Sequence, residues 1–89
     1  MDTAYLGEEF EQSFRITNKK DATVLASSAT FQIIVNGQIM QSGALSVKED
    51  GVTWSFRFTA STPGVNEIVI TYRMGDDTWI EKFLMNVIA

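Results

Sequence analysis

The chain has 89 residues, with seven basic and eleven acidic side chains, a net charge of −4, and neither histidine nor cysteine. That length makes one domain with one core, and the missing residue types exclude disulfides, thiolate metal sites and Ser-His-Asp or Cys-His catalysis. The acidic balance argues against nucleic-acid binding, which needs a basic footprint.

The chain is expected to form a single domain over residues 1–89, with residues 1–7 a loose lead-in. The opening Met1-Asp2-Thr3-Ala4-Tyr5 lacks the basic and apolar regions of a signal peptide, and no apolar run approaches the roughly 18 residues of a membrane span. Synthesis in the cytoplasm as a soluble product is expected. From Glu8 to Thr17 the side chains alternate. Phe10, Phe14 and Ile16 share one face, and Glu9, Glu11, Ser13 and Arg15 the other, as in a half-buried strand. Asn18-Lys19-Lys20-Asp21 reads as a polar turn, Ala22 to Ala26 as a short strand, and Ser27-Ser28 as a break.

Phe31, Ile33 and Val35 alternate into Asn36-Gly37, a type I′ turn signal that sets Ile34 opposite Ile39 and Ile33 opposite Met40. Ser42-Gly43 is expected to end the returning strand before Leu45. A two-residue type I′ turn at Asp50-Gly51 would then set Val47 opposite Trp54 and Leu45 opposite Phe56. Trp54, Phe56 and Phe58 alternate with Thr53, Ser55, Arg57 and Thr59, so both Trp54 and Phe56 belong to the core. Thr62-Pro63-Gly64 suits a type II turn. In the final hairpin, a turn at Asp76-Asp77 would set Ile70 opposite Phe83, Ile68 opposite Met85 and Met74 opposite Trp79. Trp79 then falls at the edge of the core face, partly exposed.

No segment has sustained helical period. Seven or eight short strands with regular turn signals predict an all-β fold, a single antiparallel immunoglobulin-like β-sandwich, with a small β-barrel as the alternative.

The acidic clusters Glu8-Glu9-Glu11, Glu49-Asp50 and Asp76-Asp77 lack calcium-loop spacing, and the last two are explained by turn chemistry. No metal, cofactor or catalytic residue is expected. A more informative pattern lies on the face turned away from the core. The registers put Val69 opposite Leu84, Ile80 opposite Arg73, and Val65 opposite Ile88, outside, with Ile34 and Ile39 pointing the same way. An outer sheet face is ordinarily polar. Ile34, Ile39, Val69, Ile80 and Leu84 are therefore the candidate contact surface.

The cadence resembles the immunoglobulin-like domains of bacteriophage capsid, tail and baseplate proteins. It rests on Phe14-Arg15-Ile16-Thr17, the strand Ala29 to Val35, the strand Gly51 to Phe58, and the Thr62-Pro63-Gly64 turn before a final hairpin. These weak motifs span most of the chain, and the antibody Cys…Trp…Cys signature is absent. The resemblance implies a non-enzymatic structural component of a virion, made in the bacterial cytoplasm and docked on other protein subunits or on copies of itself. The alternatives are a small acidic inhibitor of a host protein and a glycan-binding module, which would need exposed aromatic side chains. Neither nucleic acid nor membrane insertion is an expected partner.

Overall fold

The alternating segments pair into eight strands: β1 (Asp2–Tyr5), β2 (Glu9–Arg15), β3 (Ala26–Val35), β4 (Gln38–Ala44), β5 (Ser46–Val47), β6 (Thr53–Thr59), β7 (Gly64–Met74) and β8 (Asp77–Ile88). The structure is a computed structural model describing residues 1–18, 20–21 and 23–89. Two sheets form, one of five strands in the order β1-β8-β7-β3-β4 and one of three in the order β2-β6-β5. They face each other as a β-sandwich, not a closed barrel, and the apolar side of each alternating strand turns into the gap.

Large side chains fill that gap. Phe58, Ile33, Ile68 and Ile70 are fully buried, and Trp54, Phe56, Leu45 and Met85 are nearly so. Trp54 and Phe56 are thus core residues, as expected. Phe31 of the larger sheet stacks on Phe56 of the smaller, with ring centroids 4.1 Å apart. Phe14 of β2 similarly reaches Phe83 of β8 at 4.9 Å. Buried Asn66 satisfies its amide by donating to the carbonyls of Thr62 and Gly64, 3.0 Å away in each case, which ties down the turn before β7.

Several local expectations hold. Asn36 and Gly37 both have positive φ (52° and 78°), as a type I′ turn requires, and Ile34 lies opposite Ile39. The alternation of β2 holds, with Phe10 and Phe14 facing inward. Asn18 Oδ1 accepts the N–H groups of Lys20 and Asp21, an Asx turn where a polar turn was expected. Lys19 of that turn, and Ala22 of the expected short strand, lie outside the described residues.

Other expectations are corrected. Residues 1–7 are not a loose lead-in: β1 pairs in parallel with the end of β8, Asp2 beside Met85 through Tyr5 beside Ile88, and buries Ala4. The seven-residue segment, with Ala4 and Tyr5 adjacent rather than alternating with polar residues, carries too short a pattern to show this pairing. Ser27-Ser28 is not a break but a register shift inside β3. Ser42-Gly43 likewise does not end β4. Gly43 stands there because the Phe31 ring covers it, and a Cβ would lie 3.1 Å from Phe31 Cε1. Ile33 faces Gln41 rather than Met40, because a bulge lies between the Ile34–Ile39 and Ile33–Gln41 pairs.

The two later turns also differ. At Asp50-Gly51 only the glycine has positive φ (74°), so the turn is not type I′. The Gly51 N–H bonds Lys48 O at 3.0 Å, and the Lys48 N–H bonds Thr53 O at 2.8 Å. The register nevertheless survives, with Val47 opposite Trp54. Leu45 does not pair with Phe56. Its N–H bonds Ala29 O of β3 at 2.9 Å, where the chain crosses between sheets. In the final hairpin, Met74 pairs with Asp77 around Gly75-Asp76, with Gly75 at φ 57°. Glycine takes that conformation without strain, which an aspartate would not. Ile68 therefore faces Phe83, Ile70 faces Glu81, and Tyr72 faces Trp79. The slip is two residues, so each side chain keeps its face.

Candidate functional site

The two faces of the five-stranded sheet follow from the parity of β7. Asn66, Ile68, Ile70, Tyr72 and Met74 point into the sandwich, and Val65, Glu67, Val69, Thr71 and Arg73 point out. All five sequence-predicted contact residues fall on the outer face. Pairing brings Ile39, Ile34, Glu67 and Leu84 into one row across four strands. Ile39 is 57% exposed and Leu84 45%.

Val69 and Ile80 behave differently. Val69 faces Lys82, not Leu84, and lies between Gln32 and Lys82. Although it is on the outer face, Val69 is only 8% exposed, because side chains on both neighbouring strands cover it. Ile80 pairs with Thr71, two rows from Leu84, and is exposed. The structure thus joins Ile34, Ile39 and Leu84 and leaves Ile80 apart.

Of this face sequence reasoning missed Tyr5. It sets Val65 and Ile88 outside, opposite each other, whereas Val65 pairs with Asn86. Val65 is exposed beside the row, and Tyr5 of β1 lies beside Ile88 of β8, both exposed. The exposed side of Tyr5 became legible only once β1 was known to be a strand, with Ala4 turned inward.

A second feature lies between the sheets, where β2 and the first half of β8 stand apart. The opening is a groove of about 310 Å³ floored by Ile70, Tyr72 and Met74, with Phe14 on one wall and Trp79 and Phe83 on the other. Trp79 and Phe83 point toward the sandwich yet are 47% and 38% exposed. From the three-stranded sheet Phe14 reaches the Phe83 ring, which still leaves it partly open, and β1 accompanies β8 only from Met85 onward. The Tyr72 hydroxyl donates to Glu81 Oε1 at 3.1 Å. Burial, then that bond and the carboxylate's charge, push the phenol above its usual range.

Two of the three acidic clusters are engaged locally. Glu8 Oε1 accepts the Tyr5 N–H, and Glu11 pairs with Lys48 at 2.7 Å. Asp50 accepts two backbone N–H groups and the Thr53 hydroxyl. Among the described residues no three acidic side chains come together.

No family model matches the chain, and no curated protein does. The chain is similar in structure to an engineered protein solved by crystallography, with a TM-score of 0.79 at 9% identity. The match covers 99% of this chain and 18% of the engineered one. At that identity the likeness shows the fold alone.

Proposed function

We propose that this protein is a non-enzymatic contact module of a bacteriophage particle, docking through the outer face of its five-stranded sheet on another protein subunit. One observation carries the contact reading: the row Ile39, Ile34 and Leu84, adjoined by Val65, interrupted only by Glu67, on a face where alternation ordinarily places polar residues. Apolar side chains gathered on a rigid sheet gain more from a protein partner than from water, roughly 25 cal/mol for each Å² covered. The sequence-level resemblance to immunoglobulin-like domains of phage structural proteins supports a virion as the assembly. The net charge of −4 fits a protein partner better than nucleic acid.

The test is incorporation into particles. The wild-type protein is expected in purified virions in many copies by mass spectrometry. The double variant Ile39→Lys, Val65→Lys should fold, because solvent-facing changes shift stability little, and should be lost from particles, because lysine there must be desolvated on contact. A variant incorporated normally would remove this face from the interface. Wild-type protein absent from particles but bound to a host protein would mean an inhibitor instead.

A further inference from the structure

We propose that the open edge of β8, from Asp77 to Leu84, takes an extended strand of another polypeptide. That strand would be apolar where it faces Trp79 and Phe83, and basic where it faces Glu81. The inference rests on the contact-module reading and assigns it a second surface and a partner chemistry.

The backbone supplies the first argument. The Leu6 N–H bonds Ile88 O at 2.8 Å, so the polar groups of Ile88 point toward β1. In a strand these directions alternate with period two. Thr78, Ile80 and Lys82 therefore aim their N–H and C=O groups to the same side, away from β7. Pairing with β1 begins only at Met85. Among the described residues nothing pairs with this stretch, so it continues an existing strand interface without its partner.

The side chains make the second argument. Trp79 and Phe83 are half-exposed above the groove, while Ile80 and Leu84 are exposed on the other face of the same edge. A strand laid there would cover all four, with alternate side chains reaching each face. The other long edge of this sheet, β4, is irregular. β4 is bulged, and its Gln41 amide donates to Thr59 O at 2.9 Å and Ser61 Oγ at 3.2 Å, tying the two sheets together.

Charge selects the partner. The turn and edge carry Asp76, Asp77 and Glu81 against Lys82 alone, with Arg15 and Lys20 across the groove. A second copy pairing here would bring the same acidic set against itself. Glu81 also points inward from an edge, an arrangement that deters purely apolar strands. A lysine or arginine at the facing position would pair with it beside the bond from Tyr72, so the carboxylate acts as the specificity element.

The probe is a displayed library of random nine-residue peptides, selected on the wild-type protein; the selected peptides are then synthesised. Binding is measured to the wild type and to Ile80→Pro. Proline removes an N–H on the open side, leaves the ladder to β7 intact, and is tolerated on edges. Selected peptides are expected to alternate apolar residues with a basic position. They should slow amide exchange at Thr78, Ile80 and Lys82, shift Trp79 fluorescence to the blue, and bind Ile80→Pro at least tenfold more weakly. The exchange pattern is read on the wild type, so it stands even if the variant folds poorly. Failure to select any peptide, or protection of β4 or of the outer face instead, would overturn the proposal. A wild-type dimer that Ile80→Pro dissolves would overturn it in favour of a second copy, and Trp79 responding to glycans but not to peptides in favour of a carbohydrate site. The Ile39→Lys, Val65→Lys variant leaves this edge unchanged. Its loss from particles with peptide binding retained would leave both readings standing, and each can fail without the other.

Discussion

Asp50 shows how one carboxylate can organise a turn while fully exposed. Its oxygens accept the N–H groups of Val52 and Thr53 at 2.9 and 2.8 Å, and the Thr53 hydroxyl at 2.6 Å. The hydroxyl and those backbone donors favour the charged form and lower its pKa to about 2. The ordinary value is 3.8, so the folded state binds this proton less readily than the unfolded state. The stabilising contribution is therefore complete above the ordinary value and is lost as pH falls through about 2. An NMR titration should find the Asp50 midpoint near that lower value, and Asp50→Asn should flatten the stability profile between the two. A midpoint at the ordinary value would mean that the turn bonds do not persist in solution.

At the scale of the strand, close packing sets the choice of residue more strongly than β-propensity does. Gly43 lies inside β4, where glycine weakens a strand, because the Phe31 ring occupies the space of a side chain. Phe31 in turn stacks on Phe56 across the gap. Gly43→Val should improve local propensity yet destabilise the protein by about 1–3 kcal/mol through overpacking. Urea unfolding measures this, and an increase in stability would show that Phe31 can move aside freely.

This also explains which features were readable. Asn36-Gly37 is a local instruction, since both residues readily take positive φ, and its register was legible for that reason. Asp50-Gly51 and Asp76-Asp77 looked equivalent to it but were not, because glycine alone took the left-handed conformation and recentred the turn. Met40 was misread because a bulge leaves no mark in alternation. Of the contact surface, Ile34, Ile39 and Leu84 were legible, since parity alone assigns a face. The covering of Val69 was not, because it depends on long neighbours from two other strands.

For the whole molecule, the unequal sheets decide the surface. Three strands oppose five, so the core is closed over β7 and β3 and open beside the first half of β8. Trp54 and Trp79 illustrate the outcome. Both occupy inward-facing positions, yet Trp54 is buried in the closed part while Trp79 stands at the opening. Trp54→Ala should cost about 3–5 kcal/mol, a large share of the roughly 5–15 kcal/mol that holds a small domain together. Thermal melting checks it. A variant that melts normally would mean that Trp54 contributes little to the core.

The sequence by itself determined the all-β class and the inward faces of β2, β3, β6, β7 and β8. Those properties depend on residues two apart along one strand, and a two-residue slip does not disturb them. Only the tertiary structure decided that β1 runs parallel to β8, that the chain changes sheets at Leu45, and that Trp79 and Phe83 remain half-exposed. Each of these depends on which segments distant in sequence lie side by side. Hydrogen bonds such as Leu6 to Ile88 and Leu45 to Ala29 exist only once those segments lie side by side at the five-stranded sheet.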